Sequence, residues 1–232
     1  MGKIKEGKGT TIGKVGAEGI ENPDMVRAYD RISRWPQFKL LRRMIVREVK
    51  KKHPKGTLVD IGCGPGHLIT VIAKSLPNLR IIGVDISEEM LKVARNRLAS
   101  PALDKRIEYR QGDVQKLPFE DNAIDFAVST LSLHHWPDPD IALQEIYRVL
   151  RPEGQFLIFD LRRDGRRLFY WLLRLATKFI VPAPLRSIGE PLGSALSSYT
   201  FAEADTFLSK SPFQQWKVKS GVGWMFLWGC KD

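Results

Sequence analysis

Asp60 and Asp85 stand 25 residues apart, each near the end of a short apolar run, "TLVDI" (57–61) and "RIIGVD" (80–85). Between them a glycine-rich turn, "GCGPG" (62–66), leads into a second apolar stretch, "GHLITVIAKSLP". A third carboxylate, Asp113, lies in "GDV" (112–114). Glycines at such a turn let backbone approach a ligand closely. The spacing Gly62-x-Gly64-x-Gly66 differs from the dinucleotide pattern G-x-G-x-x-G, and the Lys-Ser/Thr pair of a phosphate loop is missing. Asp60 argues in the same direction. A pyrophosphate seeks amide N–H groups at a helix N-terminus, and a carboxylate beside it is repulsive.

The three carboxylates suit a nucleoside-like ligand with a positive charge. Asp60 faces the cationic end. Asp85 can accept from both hydroxyls of a ribose, the logic used in dinucleotide folds. Asp113 can accept from an adenine amino group. S-Adenosylmethionine has these features: a sulfonium and an ammonium against one carboxylate, a ribose and an adenine.

These residues need elements to hold them. After Pro23, apolar residues such as Phe38, Leu41, Ile45 and Val49 recur at helical spacing, which predicts two helices split at Pro36. From residue 57, short apolar strands alternate with amphipathic helices. Strands are predicted at 57–61, 80–85, 106–111, 123–129 and 155–161. "SEEMLKVARNRLAS" starts at the N-cap Ser87, and "DPDIALQEIYRVL" starts at Asp138 with Pro139 behind it. This alternation implies a parallel sheet covered on both faces. Residues 162–199 break the rhythm with a basic, aromatic helix and then an irregular Pro/Gly/Ser stretch. Thr200 and Glu203 have capping-box spacing. "FQQWKVKSG" and "VGWMFLWGC" read as a terminal antiparallel hairpin.

Taken in order, "VDIGCGPG", "GVDIS", "GDVQKLPFEDNAIDFAVS" and "EIYRVLRPEGQFLIFD" resemble the successive motifs of class I S-adenosylmethionine-dependent methyltransferases. They are most similar to the branch that includes ubiquinone/menaquinone-biosynthesis methyltransferases. The resemblance covers about residues 55–162. It implies an α/β Rossmann-like sheet of seven strands, order 3-2-1-4-5-7-6, with strand 7 antiparallel. It implies that Asp60 and Gly62 line the methionine end, and that Gly64 and Gly66 let the loop pass close to the cofactor. Asp85 would hold the ribose, Ile86 would pack on the adenine, and Asp113 and Val114 would hold the adenine edge. Ser129, Thr130 and Leu131 would approach the methionine moiety. "MVRAYD" resembles a helix that caps the cofactor, which brings in Tyr29. Each acidic position also has a plain alternative: Asp60 capping the turn, Asp85 capping the next helix, Asp113 forming a turn.

Methyl transfer from a sulfonium is an in-line displacement with a neutral leaving group, so positioning and water exclusion do most of the work. A base is needed only where the acceptor must lose a proton early. In "STLSLHHWPDP", His134 is the candidate for that role. Asp160 ends the fifth strand and could hydrogen-bond a substrate, and Tyr199 lies just past the 162–199 segment. The Asn/Asp-Pro-Pro-Tyr/Phe signature of amino-group methylation is absent from this position.

The net charge is +11, and residues 1–55 hold 15 Lys/Arg against 6 Asp/Glu. That excess reads either as a nucleic-acid or anionic-membrane patch or as a solvated helix face with a basic tail. Residues 1–20 read as a flexible tail, 21–55 as helices capping the cofactor site, and 56–232 as the methyltransferase domain with 162–199 as a substrate lid. Apolar residues between Leu168 and Ile180, flanked by Arg166, Arg167, Arg174 and Lys178, fit a cover for an apolar substrate, a peripheral membrane contact, or an ordinary core helix. Cys63 and Cys230 are distant in sequence, lack metal-ligand spacing, and read as reduced thiols of a cytoplasmic protein. The acceptor is expected to be a small apolar or aromatic molecule. RNA or protein methylation through the basic N-terminus is the alternative, and a non-catalytic cofactor-binding protein is a third reading.

Overall fold

A computed structural model describes residues 20–98, 105–187 and 189–232. The chain runs α1 (Pro23–Ser33), α2 (Pro36–Lys50), β1 (Thr57–Ile61), α3 (His67–Ser75), β2 (Arg80–Asp85), α4 (Glu88–Asn96), β3 (Ile107–Gln111) and β4 (Ile124–Thr130). A 3-10 turn over Leu133–His135 follows, then α5 (Pro139–Val149), β5 (Leu150–Leu161), α6 (Arg167–Phe179), α7 (Ala183–Ser187), α8 (Leu192–Ser197), α9 (Phe201–Lys210), β6 (Gln215–Ser220) and β7 (Trp224–Cys230).

The seven strands form one sheet in the order β3-β2-β1-β4-β5-β7-β6. β1 to β5 are parallel, and β7 is antiparallel to both β5 and β6. This is the expected topology, including the terminal hairpin. Strand side chains alternate between two apolar clusters. Leu58 belongs to the cluster with Ile45, Ile69 and Leu91 from α2, α3 and α4. Val59 and Ile61 belong to the other, with Ile146 and Leu208 from α5 and α9. Helices therefore bury both faces of the sheet, and the strand ends are left to build a site.

The expected caps are made. Ser87 Oγ accepts from the Met90 amide at 3.1 Å, and Asp138 accepts from the amides of Asp140 and Ile141. Thr200 and Glu203 form a complete capping box. Three expectations shift. β5 begins at Leu150, five residues ahead of the predicted 155, because Leu150 already pairs with Ile124 before an irregularity in the ladder. The stretch after α6 is not irregular: it holds the short helices α7 and α8, whose prolines fall in first turns or just ahead of them, where a missing N–H costs nothing. The predicted tail ends too late, because the Ile20 carbonyl accepts from Ser87 Oγ at 2.7 Å. The end predicted for the helix of 87–100 lies partly outside the described residues.

α1 is fastened over the glycine turn by Asp30. Its carboxylate meets His67 Nε2 at 2.9 Å, Arg34 at 2.6 Å, and the Arg97 guanidinium. Arg97 also donates to the Pro65 carbonyl at 2.8 Å. Burial opposes ionisation of Asp30, but Arg34 and Arg97 outweigh it and hold its carboxyl below the usual range. Behind α1, Ala28 and Ile32 pack against Val181 and Leu185 from the α7 region.

Candidate active site

The site lies at the carboxyl ends of β1, β2 and β4, where open α/β sheets bind ligands. The glycine turn is tied to β2 from its first residue. The amides of Gly62 and Cys63 both donate to the Val84 carbonyl, at 2.8 and 3.0 Å. Gly64 then donates to Asp85 Oδ2 at 2.7 Å. Gly62 has φ +72°, and a Cβ there would stand 2.3 Å from Ser132 Oγ. Glycine at this position is set both by conformation and by space.

Two adjoining cavities open around the turn. The larger is lined by Asp85, Ile86, Asp113, Val114, Leu131, His135 and Trp136. The smaller is lined by Asp60 and Thr130 together with Phe38, Leu41, Arg42 and Leu68. Tyr29, Gly62, Gly64 and Leu131 border both. Leu131 sits at the junction with φ +55°, a left-handed conformation that a leucine adopts at a cost of about 1–3 kcal/mol. Its amide is held by the Phe159 carbonyl at 2.9 Å.

Asp60 is 2 % exposed, yet its carboxylate takes no hydrogen bond among the described residues. Burial, followed by the charge of Asp85, raises its pKa to about 8. Thr130 Oγ1, on the same cavity, is also buried without a partner. A buried carboxylate and a buried hydroxyl with unmet bonding capacity are costly unless a ligand completes them. An ammonium or sulfonium group meets that need. Asp85 differs. It already accepts from Ser87 N at 3.0 Å and from Gly64 N, so it caps the next turn while still lining the larger cavity. Burial raises its pKa, and these backbone bonds oppose the shift. Asp113 Oδ1 likewise accepts from the Gln115 amide at 2.9 Å, so its turn-forming role is also made.

Five candidate residues, Gly66, Ser129, His134, Asp160 and Tyr199, do not line either cavity. Ser129 is buried and donates to the Ile61 carbonyl at 2.8 Å, bracing β4 against β1. Gly66, at φ +73°, is where Tyr109 closes in: a Cβ there would stand 2.5 Å from the Tyr109 hydroxyl. His134 is 3 % exposed, and its Nδ1 meets Asp160 Oδ1 at 2.8 Å. Burial lowers its pKa, but the charge and hydrogen bond of Asp160 more than offset this, and the net shift is upward. The cavity wall is formed by the next residue, His135, whose ring lies tilted against that of His134 with centroids 4.0 Å apart. Burial and the neighbouring His134 depress the His135 pKa to about 4. Tyr199 packs on Phe207, away from both cavities.

The sequence reading passed over Ser132, Met90, Ile20 and Arg42 as wall residues. Met90 was accessible by counting, because it follows Ile86 by one helical turn. Ser132 carries no signal apart from its spatial relation to Gly62; its Oγ accepts from Trp136 Nε1 at 3.0 Å.

The sequence and the fold are similar to those of known proteins. A family profile described as a methyltransferase domain matches residues 59–158. The demethylmenaquinone methyltransferase of Staphylococcus aureus is 28 % identical over 78 % of this chain and 73 % of its own. A Methanococcus maripaludis protein assigned as an S-adenosyl-L-methionine-dependent methyltransferase superposes with a TM-score of 0.70 at 23 % identity, over 99 % of this chain and 97 % of the other. Phosphoethanolamine N-methyltransferase 2 of Haemonchus contortus, solved with S-adenosyl-L-methionine, superposes with a TM-score of 0.66 at 19 % identity, over 90 % of this chain and 57 % of the other. The chain is an S-adenosylmethionine-dependent methyltransferase, and its fold is the Rossmann-like seven-stranded one of its structural neighbours. Its cofactor is S-adenosylmethionine. Among the described residues, no helix is long and apolar enough to cross a membrane.

Proposed function

We propose that this methyltransferase modifies a small apolar or aromatic acceptor by positioning it, without strong acid–base catalysis. The observation that carries the reading is the composition of the smaller cavity. Phe38, Leu41, Leu68 and Leu131 line it beside Asp60, next to the cavity that suits a nucleoside. The name of the Staphylococcus aureus relative, demethylmenaquinone methyltransferase, points the same way.

In this reading Asp85 accepts from the ribose hydroxyls, Ile86 covers the adenine, and Asp113 and Val114 hold its edge. Asp60, Gly62, Gly64 and Thr130 take the methionine end on the polar side of the smaller cavity, and Phe38, Leu41 and Leu68 on its apolar side face the acceptor. Tyr29 and Leu131, which border both cavities, hold cofactor and acceptor in line. When bound, S-adenosylmethionine supplies an electrophilic methyl whose transfer leaves a neutral thioether, so no protein acid is needed. The other titratable side chains around the junction are poor bases. Burial and nearby carboxylates push Tyr29 up to about 12, burial pushes the Cys63 thiol up, and His135 stays neutral above about pH 4. Asp160 and His134 act as positioning residues. They lie under His135 and set its ring against the cavity.

The test is incubation of the protein with methyl-labelled cofactor and a cell extract, followed by separation into lipid-soluble, water-soluble, RNA and protein fractions. Label in the lipid-soluble fraction is expected. Label in RNA or protein overturns the reading and assigns the basic N-terminus a docking role.

A further inference from the structure

α6 turns its most apolar face to solvent. Leu168, Trp171, Leu172, Leu175 and Phe179 follow one another at offsets of 3, 4, 7 and 11 from Leu168, which places them on one stripe. All are exposed: Leu168 by 65 %, Trp171 by 57 % and Phe179 by 69 %. Ile180, the C-cap just past the helix, is a further exposed apolar side chain at 62 %. The buried residue of this helix is Thr177, on the opposite side. A contiguous apolar stripe left in water marks an interaction surface.

The charges around it select the partner. Arg167, Arg174 and Lys178 repeat at offsets of 7 and 11, forming an exposed basic stripe along one flank. Residues 165–189 contain five Arg/Lys and no Asp/Glu. Arg186 donates to the Lys178 carbonyl at 3.1 Å, which holds a further cation at the helix C-terminus. We infer that α6 docks this protein on an anionic lipid bilayer, its apolar stripe entering the headgroup boundary and its basic flank meeting lipid phosphates.

Two features favour a bilayer over other occupants. A second copy of the chain docked through a two-fold contact would set the same cations against each other, a like-charge juxtaposition that interfaces avoid. A basic flank beside exposed Trp, Phe and Leu is the arrangement of helices that lie in a membrane interface, and the overall charge of +11 adds long-range attraction. The site is mechanically close. Val181, just past α6, and Leu185 of α7 pack on Ala28 and Ile32 of α1, the helix whose Tyr29 borders both cavities. The docking does not depend on the acceptor reading, because it is measured without methyl transfer.

The experiment is flotation of the full chain with vesicles of equal parts phosphatidylglycerol and phosphatidylcholine, and with phosphatidylcholine alone. Binding to the anionic vesicles is expected to be roughly tenfold or more stronger, and to weaken with salt. Trp171→Glu with Leu172→Glu should reduce it at least ~tenfold while leaving Tm and cofactor affinity unchanged, since both side chains are exposed. Arg174→Glu with Lys178→Glu should abolish the preference for anionic lipid. A chain starting at Ile20 should float as the full chain does. Failure of the full chain to bind, or equal flotation of the Trp171/Leu172 variant, overturns the inference. So does a dimer that the same variant converts to monomer in sedimentation velocity, which would assign the face to a second copy.

Discussion

The amide of Gly64 donates to the carboxylate of Asp85 at 2.7 Å, so the glycine turn after β1 and the end of β2 are one hydrogen-bonded unit. Asp85 also holds the Ser87 amide, and Ser87 in turn holds the Ile20 carbonyl. Ligand contact and loop geometry are therefore joined in one side chain. Asp85→Ala is expected to weaken S-adenosylmethionine binding at least tenfold, about 1.4 kcal/mol, and to lower stability by about 1–3 kcal/mol through the two stranded amides. Asp85→Asn retains an acceptor and should lose less of both. Calorimetric titration with parallel melting curves separates the effects. An unchanged dissociation constant for Asp85→Ala would remove the ribose assignment.

Asp60 predicts a pH dependence of opposite sign to that of most carboxylates. Its folded pKa, about 8, is far above the ordinary carboxyl value, because burial and Asp85 penalise its charge. Its stabilising contribution is therefore complete below the unfolded value, near pH 4, and is lost as pH rises through about 8. A cationic ligand reverses the preference, since it binds the carboxylate form. Cofactor affinity should rise between pH 6 and 8 and level off above, with proton release on binding that shrinks over the same range. Asp60→Asn should remove both the slope and the proton release. Titrations in buffers of different ionisation enthalpy read this directly, and a flat profile for the parent protein would mean that Asp60 does not face the cation.

The frame of this site was readable from residue order because strand–helix alternation and cap residues are local signals. Ser87, Asp138 and Thr200 cap the helices their types predicted, and Asp60, Asp85 and Asp113 lie at the strand ends where their runs placed them. What could not be read was direction at single-residue resolution. His134 and His135 are equivalent in sequence, but the 3-10 turn after β4 sends one inward onto Asp160 and the other to the cavity. Gly66 and Ser129 match the motif and yet serve packing, because Tyr109 and the Ile61 carbonyl claim them. The solvent-facing stripe of α6 was visible as periodicity, but no periodicity says which side of a stripe meets the core.

The His134–Asp160 pair is the next point of strain. Asp160, itself buried, accepts from His134 Nδ1, from the His134 amide at 3.0 Å and from the Leu161 amide at 2.6 Å. Asp160→Ala should cost about 2–4 kcal/mol by stranding these donors, and should lower kcat more than it changes cofactor affinity, since His135 loses its support. His134 has a raised folded pKa. The stability from the charged pair is thus fully present below the unfolded histidine value and is lost as pH rises through the higher folded one. Tm should fall over that window in the parent and not in His134→Gln. Parallel Tm profiles for the two proteins would show that the pair carries no charge-linked stability.

The N-terminal boundary gives the last prediction. The bond from Ser87 Oγ to the Ile20 carbonyl, and the place of Ile20 on the wall of the larger cavity, make residue 20 part of the site. Ser87 is the N-cap of α4 and fully buried; its Oγ accepts from the Met90 amide, so loss of the Ile20 carbonyl leaves its O–H donor without that acceptor. Asn22 two residues later caps α1 through the amides of Asp24 and Met25. A chain that begins at Ile20 should therefore match the full protein in Tm and cofactor affinity. One that begins at Pro23 loses the α1 cap, about 0.5–2 kcal/mol, together with one side of the cofactor cavity, and its affinity should drop several-fold. Equal affinity for the two truncations would show that the Ile20 contact closes nothing, and a loss already present on removing residues 1–19 would move the boundary further back.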